Sequence, residues 1–309
     1  MRTPEPPGSG PAAVPPADSA GSTPATGADA SRGMDADSRD RADAGSRGQA
    51  DASLPTSTSP TPNRRLLGAE VVIVLALSLG RSAVYSLLAL LQALAAGPLK
   101  GQSTALNPSR DPSPWWDLLQ QLLSITFTLM PVALVILLVT LTAGSLRQAL
   151  ADLGLAADRP ARDLLHGVFI TAGIGIPGLA IYYTGRALGL TVEVIPAALD
   201  TYWWTVPVLI LHALKNALLE EVVVVGYLYR RLEAIGWTPR RIIIASAVLR
   251  GAYHTYQGIG PGLANLVMGL LFGEWFRRTG RTLPLVIAHT LLDVVAFVGY
   301  ALLRDVLPL

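Results

Sequence analysis

From Arg64 onward the chain reads as long apolar runs separated by short charged or Pro/Gly-containing stretches. Seven runs stand out, at 67–95, 117–142, 164–188, 202–229, 242–256, 262–276 and 283–303. Most exceed the roughly 20 residues that a helix needs to cross a bilayer. The fifth and sixth hold about 15 residues each and would need tilt or packing against neighbours. The runs are continuously apolar and do not alternate in the manner of barrel strands, so helices are the spanning form they predict. Residues 1–63 differ in kind: Pro, Gly, Ala, Ser, Thr and Asp, with a run of mixed charges and almost no large apolar side chain. Such a stretch cannot offset its ordering entropy by burial, which predicts a disordered tail. It lacks the basic start and short apolar core of a signal peptide, and Met34 offers a second possible start. The predicted organisation is a polar tail (1–63), N-terminal transmembrane helices (64–201) and a transmembrane core (202–303). The fold class is all-α, a polytopic helix bundle of about seven spans.

Composition sharpens this picture. Apolar residues make up 51% of the 309 and charged residues 15%, well below the quarter usual in soluble domains, and the mean hydropathy is +0.43. Cysteine is absent, which excludes disulfides, thiolate metal sites and a Cys nucleophile. Net charge is +2 with no basic patch, so nucleic acid is not an indicated partner. With the N-terminus inside, the inner loops collect twelve bases, from Arg64 to Arg281, and the outer loops four. That asymmetry predicts a cytoplasmic tail in a plasma membrane of bacterial type. Trp115, Trp116, Trp203 and Trp204 fall at the predicted outer ends, where interfacial aromatics belong.

Ionisable groups inside hydrocarbon are costly unless paired, so each is a functional candidate. The fourth run carries Glu220 and Glu221 side by side. About 100° apart on an α-helix, they should face different partners. Burial and mutual repulsion disfavour charging both, which suits a general base near neutral pH. His212, Asn216 and Glu220 are spaced to form one polar stripe. On the fifth run Arg250 and His254 share a face, and on the seventh His289 and Asp293 do so too. Structural pairs that knit helices together are the competing reading of each. In the sixth run Asn265, Gly269 and Gly273 repeat every four residues, a spacing that allows close helix approach, with Asn265 either bridging helices or lining a site. Arg81, near the middle of the first run, predicts an ion pair with an acid on another helix. Counting ~1.5 Å per residue from the inner ends puts Glu220 about 14 Å deep, His289 about 9 Å and His254 about 18 Å.

Together Glu220-Glu221, His254 and His289 with Asp293 resemble the CPBP family of intramembrane endopeptidases. These include type II CAAX prenyl proteases, abortive-infection and bacteriocin-immunity-like proteins. Its motifs are Glu-Glu-x-x-x-Arg, Phe-x-x-x-His and His-x-x-x-Asn/Asp on successive membrane helices, and the resemblance covers 202–297. Val225 stands where the motif has Arg, and Arg250 where it has Phe, so Arg250 is the candidate replacement cation for the glutamates. The resemblance implies hydrolysis of peptide bonds in membrane-associated or lipidated proteins. Glu220 would be the base on a water held with His254, and Glu221 would support it. His289 and Asp293 would serve the oxyanion side, with Asp293 orienting His289; Arg250, Asn216 and Asn265 would be supporting residues. A metal-independent glutamate mechanism without cofactor is the favoured reading. The alternative is Zn²⁺ on Glu220, His254 and His289, the metalloprotease label that family members often carry. A non-catalytic membrane immunity or scaffold protein is the competing function, with a proton-coupled carrier ranked after it. Implied partners are a membrane protein or peptide substrate and the lipid bilayer.

Overall fold

The computed structural model describes residues 63–303. The tail expectation and the two possible start sites lie outside them, apart from Asn63, whose side chain caps the first helix by accepting from the Arg65 and Leu66 N–H groups. Eleven α-helices make up most of the described chain. The first expected span is two helices, α1 (Arg64–Ala76) and α2 (Leu79–Ala96), broken at Ser78, whose backbone leaves the helical region and whose hydroxyl donates to the Val74 carbonyl. The second is α3 (Pro114–Thr128) and α4 (Met130–Ala143), joined through Leu129. Pro131, lacking an N–H, sits just past this joint. Then come α5 (Leu146–Asp152) and α6 (Pro160–Ala187). The fourth expected span is one helical rod in three pieces: α7 (Thr205–Ala217), a wide π-helical stretch (Leu218–Tyr227) and α8 (Leu228–Ile235). Helices α9 (Pro239–Tyr253), α10 (Ile259–Thr279) and α11 (Leu283–Leu303) complete the bundle.

Five segments among the described residues are long and apolar enough to cross a membrane: Leu79–Ala96, Pro114–Ala143, Pro160–Ala187, Ile259–Thr279 and Leu283–Leu303. The protein is an integral membrane protein. The fourth and fifth expected spans are helical but outside that set, one being the segmented rod and the other the 15-residue α9. One feature escaped the periodicity altogether. The loops after α2 and after α6 pair as a short parallel two-stranded sheet, β1 (Ser103–Ala105) with β2 (Glu193–Ile195). Three residues per strand are too few for an alternation signal.

The rod lies at the centre. Every residue from Leu219 to Tyr229 is buried, and a helix apolar all round belongs inside a bundle. Four consecutive valines, Val222 to Val225, are β-branched and poor α-helix formers, and here the backbone opens into the wider turn. Ser246 of α9 donates to the Val224 carbonyl at 2.9 Å. Helix α9 packs along α10, α2 covers α9, and α11 lies against both α6 and α7. The approach of α9 and α10 depends on Gly269, where an added Cβ would fall 2.7 Å from the Ala247 Cα. The interfacial role expected of Trp204 is not what the fold makes of it: Trp115, Trp116 and Trp203 are exposed, but Trp204 is buried and stacked on Tyr202. Arg81 is exposed and makes no ion pair among the described residues, so the interhelical pair expected for it does not form. Glu70 of α1 pairs instead with Arg231 of α8 at 2.8 Å and accepts from Tyr227.

Candidate active site

Three helices converge on Arg250. Its side chain is fully buried, and it reaches from α9 into the wide turn of the rod. Its Nη2 donates to Glu221 Oε1 at 2.6 Å and lies 3.2 Å from Glu220 Oε2, while Nη1 donates to Glu221 Oε2 at 3.2 Å. The guanidinium also sits 5.0 Å above the Phe272 ring. Adjacent glutamates thus share one cation, contrary to the expectation that they face different partners. A wide i→i+5 turn holds more residues than an α-turn, so neighbours diverge less around the axis, and Arg250 fits between the two carboxylates. This is the geometry expected of a cation moved from position 225 to position 250. Val225 itself is packed in the core.

His289 of α11 brings Nδ1 to 2.7 Å from Glu221 Oε1. That oxygen belongs to a carboxylate paired with Arg250, so Nδ1 is the donor. The nearest carboxylate to Nε2 is Asp293, at 3.8 Å, too long for a hydrogen bond. The side chain that orients His289 is therefore Glu221, not Asp293. Asp293 instead accepts from Asn216 of α7 at 3.0 Å.

His254 closes α9. Its Nδ1 lies 3.0 Å from the Arg250 carbonyl; a carbonyl only accepts, so Nδ1 holds a proton and Nε2 of the neutral ring is the acceptor. It makes no hydrogen bond to Glu220 among the described residues. Between them stands Tyr253, whose hydroxyl donates to Glu220 Oε2 at 3.0 Å and whose ring lies 4.8 Å from that of His254. Tyr253 is a site residue that motif spacing does not mark. The polar stripe of α7 divides. Asn216 and Glu220 join this network, whereas His212 turns to Gln121 of α3 (3.0 Å) and to Lys215 (3.2 Å). Asn265 donates to the Pro261 carbonyl within its own helix and makes no hydrogen bond to the network.

Ligand atoms of Glu220, Glu221 and His289 lie within 4.8 Å of one another, a grouping in which a metal might be sought and which omits His254. Arg250 Nη2 is 2.6, 3.2 and 3.2 Å from atoms of those same three residues. A divalent ion would have to sit against that guanidinium, and the His289 nitrogen nearest Glu221 already carries a proton. This donor set does not fit a metal. Nor does either of two surface hollows of about 300 and 540 Å³ include any of these residues; one lies beside α6 and α10, the other on the outer side of α9.

A buried Glu–Arg–His network held by three helices of a membrane bundle defines the class of site. Residues 202–295 match the family model described as type II CAAX prenyl endopeptidase Rce1-like. The match covers the region whose motifs resemble the CPBP family and supports that likeness to CAAX-type intramembrane proteases. Neither the curated proteins nor the solved structures contain a match to the chain.

Proposed function

We propose that the protein is an intramembrane endopeptidase that cleaves membrane-associated or lipidated proteins with a water activated by Glu220 and His254. One observation supports this above the others. Of the two glutamates, Glu221 is spent: both its oxygens accept from Arg250, one also from His289, and its side chain is fully buried. Glu220 keeps 11% exposure, and only its Oε2 is engaged, by Tyr253 and Arg250. Oε1 of Glu220 is the oxygen available to a water.

In this reading water lies between Glu220 Oε1 and the acceptor nitrogen of His254. Glu220 takes its proton as the oxygen bonds to the scissile carbonyl carbon. The developing oxyanion takes hydrogen bonds from the second amide proton of Asn216 and from His289 when Nε2 is protonated. Such donors are worth roughly 3–4 kcal/mol each. Collapse breaks the C–N bond, and the proton held by Glu220 passes to the leaving amine. The second proton of the water leaves the new carboxyl for the amine, so the products are a carboxylate and an ammonium. Glu221 and Arg250 aim His289 and hold the carboxylates in place, Asp293 aims Asn216, and no metal is required. In this reading the protein sits in a bacterial-type plasma membrane with its tail on the cytoplasmic face, an orientation that the arginine-rich inner loops support.

The full chain in proteoliposomes, given membrane-anchored peptides in H₂¹⁸O, tests this by mass spectrometry. The wild type should place one ¹⁸O in the new C-terminal carboxylate. Glu220→Gln should lower the rate by about 10²–10⁴-fold, the usual range for losing a general base. Unchanged cleavage in both Glu220→Gln and His254→Ala would refute the assignment. A non-catalytic immunity or scaffold role requires a Glu220→Gln chain that keeps its full cellular effect.

A further inference from the structure

Helix α9 has a second face. Arg250 and, one turn earlier, Ser246 and Ala247 point into the bundle. On the opposite side Trp237, Arg241, Ile244, Ala245 and Val248 line a hollow of about 540 Å³. Ile244 and Val248 are 56% and 53% exposed, a strip of lipid-facing hydrocarbon. At the end of this strip the chain turns sharply through Gly236, at φ +101°. The Arg64 guanidinium packs there: a Cβ on Gly236 would lie 3.6 Å from the Arg64 Cζ. Arg64 from α1 thus packs on Gly236, the residue before Trp237, while Arg241 from α9 lines the apolar groove together with Trp237. Neither forms an ion pair among the described residues, whereas Arg230, Arg231, Arg277, Arg278 and Arg281 all do. Nor does Arg241 serve its own helix. It lies in the first turn of α9, where the helix dipole disfavours a cation.

We propose that this groove is a specific site for an anionic phospholipid: its phosphate between Arg64 and Arg241, its glycerol region against Trp237, and an acyl chain along Ile244, Ala245 and Val248. The charge is complementary, the strip suits a hydrocarbon chain, and basic pockets between membrane helices commonly hold acidic headgroups. A lipid seated there supports, from outside, the helix that carries Arg250 and His254 within. The site stands whether or not the chain is a protease.

The test is native mass spectrometry of the full chain released from nanodiscs of phosphatidylglycerol or of phosphatidylcholine with the same acyl chains. We expect one retained phosphatidylglycerol per chain and at least about tenfold less retained phosphatidylcholine. Arg64→Ala with Arg241→Ala should lower retention of phosphatidylglycerol by about tenfold or more. Val248→Trp, which fills the groove, should also expel the lipid. Arg147→Ala, the loss of one exposed charge on α5, should leave it in place. Inorganic phosphate at millimolar concentration should not displace it. Retention by the double arginine variant, equal loss in Arg147→Ala, equal retention of phosphatidylcholine, or displacement by phosphate alone would each overturn the assignment. Circular dichroism of the variants separates loss of the site from loss of the fold.

Discussion

Helix α6 and the central rod are both rich in apolar residues, but they use them in opposite ways. The most apolar 18-residue stretch of α6 is only 6% buried, its Thr184 hydroxyl bonds to the carbonyl one turn back, and Gly178 has no neighbour within 4 Å of where a Cβ would lie. Its hydrophobicity matches a lipid solvent. The rod from Leu219 to Tyr229 is buried in protein, with Glu220 keeping 11% side-chain exposure, and there two carboxylates survive because Arg250 and His289 are delivered to them. Apolar character alone does not distinguish the two; the partners of the embedded charges do.

Breaking that partnership should produce the largest effect. Arg250→Ala leaves Glu221 buried without its cation, and removal of one member of a buried pair costs about 3–5 kcal/mol. Thermal unfolding in detergent should fall accordingly, with activity lost. If the variant unfolds like the wild type, the guanidinium is not what holds the glutamates. Next is the seam that brings Arg250 into position. Gly269→Val would drive a side chain into the Ala247 backbone, at about 1–3 kcal/mol, and the same melting experiment should register it. A smaller effect belongs to the loops. Arg281 donates to Asp158 and holds its carboxyl below the usual value of 3.8. The folded pKa is depressed, so this pair contributes above the ordinary carboxylate range and is lost as pH falls through the lowered value. Melting points of wild type and Asp158→Asn should differ slightly at pH 7 and converge as the medium is acidified below about pH 4; a constant gap would refute the linkage. Smallest of all, Gly178→Ala on α6 should leave stability unchanged or raise it by no more than about 1 kcal/mol. A clear loss there would show that α6 faces protein and not lipid.

Much of the site could be read along the chain because its residues recur at helical spacing. Glu220-Glu221, Arg250 with His254, and His289 with Asp293 are each a local pattern on one apolar segment, and their cost in hydrocarbon singles them out. Which nitrogen meets which oxygen was not local. That Glu221 rather than Asp293 holds His289 depends on how α11 crosses the rod. The sharing of Arg250 depends on the π-helical stretch, whose turn width no residue spacing announces. Tyr253 was hidden because a tyrosine in an apolar run is unremarkable until its hydroxyl finds Glu220. The metal grouping first considered, with His254, differs from the three residues whose ligand atoms lie together, Glu220, Glu221 and His289.

The order of apolar segments and the embedded charges are properties of the chain itself, since a bilayer penalises unpaired backbone and charge wherever they occur along it. Pairing is a property of the folded bundle. Charges on separate helices have no fixed distance until the helices pack, and only packing determined that Arg250 lies between two glutamates, that Trp204 is inside, and that Arg81 is left outside.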